Sequence, residues 1–174
     1  MRKKKKIICI GSLGWDYIAV TDFKLKFGDD VPGQITKKPG GVAGNVAKAI
    51  AELSNFENNL ELFLISAIGD NASSKELRKA IESYNINCDY LITINGNSDQ
   101  YVALETCGKL VHAISDNSQL MKAEKKIIDT LLNEDVFKTS EDSEGILILD
   151  TNLTNKCFEK LSKEKSFKNF DLII

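Results

Sequence analysis

The chain has 174 residues, 43% hydrophobic and 28% charged, with 23 basic against 25 acidic side chains and a formal net charge of −2. This composition excludes disordered and collagen-like chains and suits one domain that buries roughly 70% of its unfolded surface. The near balance of charge supplies no positive field of the kind nucleic-acid binding draws on, so no nucleic-acid partner is expected.

The one dense basic run, residues 3–6, reads as a solubilising terminus leading into Ile7-Ile8-Cys9-Ile10. That apolar run is too short for a signal-peptide core or a membrane span, so no membrane partner is expected and a cytoplasmic location follows. Its unbroken apolar character predicts a strand buried on both faces, ending in the turn Gly11-Ser12-Leu13-Gly14. Tyr17-Ile18-Ala19-Val20 and Gln34-Ile35-Thr36 predict short strands around a mobile loop with Phe27-Gly28-Asp29-Asp30 and Pro32-Gly33. After Pro39-Gly40-Gly41, the residues Val42, Val46, Ile50 and Leu53 recur at helical spacing, and the alanines and glycine between 43 and 51 suit a helix lying close against a sheet. Leu60–Ile65 predicts a second buried strand, and Ser73 with Glu76 a capping box for a helix carrying Leu77, Ala80, Ile81 and Tyr84.

Residues 88–94 predict a third strand before the turn Asn95-Gly96. Residues 101–105 and 110–114, joined through Thr106-Cys107-Gly108-Lys109, predict a hairpin. Leu120, Ala123, Ile127 and Leu131 place one apolar side on a helix over residues 118–132. Ile146-Leu147-Ile148-Leu149 predicts another buried strand ending at Asp150, and Asn152 or Thr154 can cap the helix that carries Cys157, Phe158 and Leu161. The final Phe170-Asp171-Leu172-Ile173-Ile174 starts a further buried strand whose outer edge would need pairing or cover, which suggests the front part of a longer architecture. The alternation of strands and helices predicts an α/β fold with a mostly parallel sheet between helical layers.

Cys9, Cys88, Cys107 and Cys157 are widely spaced, form no CxxC pair and share the chain with a single histidine. No metal site or disulfide framework is expected, and the cysteines read as reduced, small apolar residues. Asp16 follows the first strand at the carboxyl edge, where open α/β sheets bind ligands; its carboxylate can accept from two vicinal hydroxyls, or serve as a turn residue. Gly40 and Gly41 open the next helix, where backbone donors can approach a polar ligand and Asn45 offers a donor and an acceptor; a ligand-free helix start would look the same. Asp150 and Asn152 fall on the same edge as accessory candidates, although capping accounts for Asn152 equally well. His112, Asp70 and Asp116 read as structural. No Walker-type GxxxxGK, GxGxxG or GxSxG sequence is present, so no cofactor-binding or catalytic residue is assigned.

Three segments in order carry a resemblance: Gly11-Ser12-Leu13-Gly14-Trp15-Asp16, Gly40-Gly41-Val42-Ala43-Gly44-Asn45-Val46-Ala47, and Gly69-Asp70. They resemble the amino-terminal half of the ribokinase-like (PfkB-type) carbohydrate kinases. Tyr101-Val102-Ala103-Leu104, Leu110-Val111-His112-Ala113-Ile114-Ser115-Asp116 and Leu149-Asp150-Thr151-Asn152-Leu153 are most similar to the branch that phosphorylates pseudouridine. The resemblance implies a Rossmann-like three-layer αβα core with a small β lid from about residues 16–38 and 100–114, all of 1–174 being the front portion of one kinase domain. It implies that Asp16 and Asn45 bind the sugar and that Gly40 and Gly41 form the hinge and sugar-contacting turn. It further implies ATP with Mg2+, transfer to a sugar or nucleoside hydroxyl (first the 5′-hydroxyl of pseudouridine), and a homodimer through the lid.

Two departures accompany it. Gly14 stands where the family commonly has asparagine and Gly44 where the pseudouridine branch has arginine, so contacts from those positions are missing. The family's late Gly-Ala-Gly-Asp-like segment, which supplies the base and anion hole, does not occur. The expectation is therefore a truncated chain, gene fragment or split-gene product without kinase activity of its own. The alternatives are a non-catalytic sugar- or nucleoside-binding module, or a fragment that assembles through its terminal strand.

Overall fold

A computed structural model of the chain describes residues 5–54, 60–137, 145–164, 167 and 169–174. In chain order the first elements are β1 (Lys5–Ile10), β2 (Gly14–Thr21), β3 (Gln34–Gly40), α1 (Val42–Leu53), β4 (Leu60–Ile65), β5 (Ala67–Gly69) and α2 (Ala72–Glu82). There follow β6 (Ile92–Ile94), β7 (Asp99–Thr106), β8 (Lys109–Asp116), α3 (Ser118–Asn133), β9 (Gly145–Leu149), α4 (Asn155–Ser162) and β10 (Phe170–Ile173).

The apolar runs become a parallel sheet in the order β10-β9-β1-β4. Successive strand residues point to opposite faces, so an unbroken apolar run feeds two cores. Ile8, Ile10, Phe63, Ile65, Leu147 and Leu149 pack with α3 and α4 on one face. Cys9, Leu62 and Leu64 pack with α1 and α2 on the other. Phe137 closes the first core edge-on against Phe63 and Tyr90, with ring centroids 5.5 and 4.7 Å away. The result is the α/β three-layer core that the pattern of elements predicts.

Local details differ from the sequence reading. Helix α1 buries Ala43, Gly44, Ala47 and Ala51, as its small residues suggest, while Val42 and Leu53, at the two ends of the helical spacing, are 48% and 82% exposed. Small side chains let the helix settle onto β1 and β4, and a valine-leucine ridge would hold it off. Helix α2 is capped by Asn71, whose side chain accepts from Ser74 N at 2.8 Å, so Ser73 lies inside the first turn and makes no capping box. Only Ile92–Ile94 of the expected strand over 88–94 is extended, because Cys88 and Leu91 close a turn. Burial pushes the Cys9, Cys88 and Cys157 thiols up to about 12, but Cys107 is exposed in the β7–β8 turn and does not pack as an apolar residue.

Of the two cap candidates, Thr154 accepts from Cys157 N at 3.4 Å and α4 begins after it. Thr154 also receives Glu124, whose carboxylate accepts its N–H and hydroxyl, both at 2.7 Å. Thr154→Ala should lower stability by about 1 kcal/mol, the usual weight of a cap, measured as a shift in urea midpoint at constant slope.

A second sheet, ordered β3-β2-β7-β8, stands beside the carboxyl ends of the first. Its central pair, β2 and β7, is parallel and the outer pairs are antiparallel. Cys107 and Gly108, at φ 49° and 73°, form the two-residue left-handed turn that matches the twist of a β7–β8 hairpin. The sheet is fastened to α2 from behind: Trp15 Nε1 donates to the Ser73 carbonyl at 3.1 Å, and Lys37 sits 3.9 Å above the Trp15 ring and donates to Ser73 Oγ at 2.9 Å. At the far end of the main sheet, β10 pairs with β9, leaving Leu172 and Ile173 43% and 49% exposed. No described helix is long and apolar enough to cross a membrane.

Candidate functional site

The chain leaves β1 through Gly11, at φ 148°, where a Cβ would overlap the side chain of Asp150. Asp150 is buried and anchors this turn, accepting from Ser12 N at 2.8 Å and from Ser12 Oγ at 2.5 Å. Ser12 Oγ in turn accepts from Val42 N at 2.8 Å, which ties the first turn of α1 to the end of β1. Between them Gly41 adopts φ 84°, and a Cβ there would lie 2.5 Å from the Ser12 carbonyl oxygen; only glycine passes. These contacts hold the start of α1 against the carboxyl edge of the sheet.

A cleft of about 310 Å³ opens between this edge and the second sheet. Asp16, Gly41 and Asn45 share its lining. Gly40 lies directly behind Asp16, and a Cβ on it would overlap the carboxylate, so the absence of a side chain there makes room for the acid. Burial pushes the Asp16 carboxyl above its ordinary range, while Lys38, Lys48 and a hydrogen bond from Gly41 N–H pull it back. Lys48 is itself pushed down, first by burial, and its ammonium donates to the Pro39 carbonyl at 2.6 Å. Where it is ionised, such a half-buried carboxylate accepts hydrogen bonds strongly.

The opposite wall comes from residues that sequence reasoning did not select. Asp99, Tyr101, Ser115 and Asn117 line it, with Asn152 on the floor. Tyr101 is in register with Asp16 on one side and Ser115 on the other, so these three share one face of the second sheet. The alternation Asp99, Tyr101, Ala103 was the available signal, but only the parallel pairing with β2 shows that this face looks into the cleft. Asp99 is buried, and its carboxylate accepts from Gln119 N at 2.8 Å and Leu120 N at 3.0 Å at the start of α3. Burial outweighs those two bonds and pushes its carboxyl up.

Of the accessory candidates, Asn152 lines the cleft, whereas Asp150 lies beneath it with both oxygens engaged by Ser12 and Asn152. Asp70 accepts from Gly96 N and Asp116 from Ser118 N, and His112 lies exposed on β8. At Gly14 a Cβ would run into the Asp99 carbonyl, and at Gly44 it would come within 3.0 Å of Leu13 Cδ1.

The profile of the pfkB family of carbohydrate kinases matches residues 4–174. The chain belongs to that family. It is 30% identical over 118 residues to the pseudouridine kinase of Escherichia coli K12, an overlap of 67% of this chain and 36% of that protein. Among solved structures, Giardia lamblia ribokinase superposes with a TM-score of 0.76 at 15% identity, over 97% of this chain and 54% of that one. The nucleoside kinase of Methanocaldococcus jannaschii gives 0.70 at 19% identity, over 98% and 52%. The chain thus spans about a third to a half of these relatives' lengths, and the likeness to the solved structures is one of fold.

For a pfkB family member, the residues at hand fit a hydroxylated acceptor. They do not fit a nucleoside triphosphate or its magnesium ion. Among the described residues no lysine, arginine or histidine lines the cleft. Val42 N and Gly44 N at the start of α1 are spent on Ser12, and Ser118 N, Gln119 N and Leu120 N at the start of α3 on Asp116 and Asp99. Among the described residues no group of three His, Cys, Asp or Glu is placed to hold a metal.

Proposed function

We propose that this chain carries the acceptor-binding part of an ATP-dependent sugar or nucleoside kinase. The observation behind the proposal is the convergence of Asp16, Gly41 and Asn45 on one cleft at the carboxyl edge of a parallel sheet. Asp16 accepts hydrogen bonds from two vicinal hydroxyls, Gly41 lets the backbone come close, and Asn45 adds a donor and an acceptor one turn into α1. The identity to pseudouridine kinase makes the 5′-hydroxyl of pseudouridine the first acceptor to test. The second sheet serves as a lid over the bound acceptor. Ile35, Val102 and Ile114 fall on its face turned away from Asp16 and are 76%, 46% and 73% exposed, which supports a homodimer through this sheet.

Positioning an acceptor does not by itself transfer a phosphoryl group, because charge developing on the phosphate needs cations that are not among the described residues lining this cleft. ATP and Mg2+ would therefore be held by groups other than those lining this cleft, and the 174-residue chain binds acceptor without turnover. Titration calorimetry should show saturable heat with pseudouridine or ribose, and a coupled assay with ATP and magnesium should show no product. Turnover of about 1–100 per second, an ordinary kinase rate, would overturn the division of labour. Absence of heat with every acceptor would overturn the site and leave a fragment that assembles through β10.

A further inference from the structure

We propose that Asn117 is a specificity-determining residue of this cleft, reading the uncharged amide or imide edge of a ring carried on the sugar. The inference rests on the acceptor-binding reading above and assigns the part of the ligand remote from Asp16.

Asn117 stands at the N-cap of α3, where an asparagine ordinarily spends its side-chain oxygen on the helix's own amides. Here it makes no capping bond. The amides are already taken: Ser118 N by Asp116, and Gln119 N and Leu120 N by the buried carboxylate of Asp99, which reaches in from β7. The Asn117 side chain is thereby released into the cleft wall.

A chain of hydrogen bonds fixes which way its amide faces. Asp150 is acceptor-only, so the Asn152 amide group must turn its NH2 toward it, at 2.7 Å, and toward Ser12 Oγ, at 3.3 Å. The Asn152 oxygen then faces outward and accepts from Asn117 Nδ2 at 3.0 Å. That bond sets the Asn117 NH2 toward Asn152 and its oxygen toward Ser115, whose hydroxyl makes only a long 3.4 Å contact. Asn152 has no donor left, whereas Asn117 keeps one N–H and acceptor capacity for a ligand. A donor beside an acceptor matches the N–H and C=O of a cyclic amide or imide.

Position and charge agree with this. Asp16, Tyr101 and Ser115 sit side by side on β2, β7 and β8, so the Asn117 end of the wall lies two strand spacings, roughly 10 Å, from Asp16. One sugar ring held by Asp16 does not reach that far, but a ring attached to it does, passing over Tyr101. Asp16 and Asp99 are in the lining with no cation beside them among the described lining residues, and Lys122, the cation nearest this end, already faces Asp99 and Asp116, so a phosphate at the remote end is disfavoured.

The test is calorimetric titration of the 174-residue chain and its Asn117→Leu and Asn117→Ala variants with ribose, pseudouridine, uridine and ribose 5-phosphate. Native emission of the single Trp15, at the base of the second sheet, checks that each variant is folded. The expected result is that both variants lose about tenfold in affinity for the nucleosides, the weight of one or two hydrogen bonds, while ribose changes by less than about twofold. Equal losses for ribose and nucleoside would reduce Asn117 to a structural latch, and no loss for either would remove it from the site. Ribose 5-phosphate binding as tightly as the nucleosides would overturn the uncharged-ligand assignment. If the unaltered chain binds ribose but gains nothing from a base, this inference fails alone; if it binds none of the four, the acceptor-binding reading fails with it.

Discussion

Asp16→Asn should weaken sugar or nucleoside binding by about ten- to a hundredfold and at the same time raise the thermal midpoint. The loss follows from charge: hydrogen bonds to an ionised acceptor are worth about 1.5–3 kcal/mol, and an amide keeps one neutral acceptor where the carboxylate offers two charged ones. The gain follows from linkage. Burial raises the Asp16 carboxyl above its unfolded value despite Lys38 and Lys48. The folded chain therefore holds this proton more tightly than the unfolded one, and stability contributed by the protonated form is lost as pH rises from the unfolded to the folded pKa. Above the folded pKa that cost is fully present, and the asparagine variant does not carry it. Affinity runs the other way, falling as pH drops through the raised carboxyl and sooner than an ordinary aspartate would predict. Calorimetric titrations across pH, with melting curves of both proteins, measure the two effects separately. Unchanged affinity would remove Asp16 from the acceptor site, and a lowered midpoint would show that its ionised form stabilises the fold.

Gly14→Asn should destabilise the chain by about 1–3 kcal/mol or more rather than restore a lost sugar contact. Family resemblance suggests the opposite, because asparagine is common at this position. Here Gly14 lies in register with Asp99, and a Cβ on it would run into the Asp99 carbonyl, which is backbone and has no rotamer to yield. Relief requires β2 and β7 to part, and Asp99 then withdraws from Gln119 N and Leu120 N. The first turn of α3 should loosen with the sheet. Chemical denaturation would give the loss of stability, and amide exchange at Gln119 and Leu120 should rise together with that of β7. A variant as stable as the parent with tighter sugar binding would show that the β2–β7 pair tolerates the side chain.

The residues themselves show why the core was readable and the far wall of the cleft was not. Ile7-Ile8-Cys9-Ile10, Leu60–Ile65 and Ile146-Leu147-Ile148-Leu149 are apolar on both sides of the pleat, a pattern stable only between two helical layers. Asp16, Gly41 and Asn45 were likewise local, each at the end of a strand or the start of a helix where α/β sheets present ligands. The close approach of α1 to the sheet was likewise legible in its small residues, and Ala43, Gly44, Ala47 and Ala51 make it; that Val42 and Leu53, at the two ends of the helical spacing, stay exposed was not local. Asp150 looked from its position like a ligand group and is consumed by Ser12 and Asn152.

What the sequence determined by itself is therefore the layered α/β core and the acid-glycine-asparagine edge, because strand burial and strand-end chemistry are encoded over a few neighbouring residues, while its family is carried by the motif resemblance of 11–16, 40–47 and 69–70. What only the tertiary structure decided is the opposing wall and the hydrogen-bond inventory across it. The freedom of Asn117 depends on Asp99, 18 positions earlier, having taken the amides of α3, and its orientation depends on Asn152 and Asp150, more than 30 positions later. A side chain's spare donor or acceptor is what remains after distant partners have taken their share, so it is settled only when the strands and helices have docked.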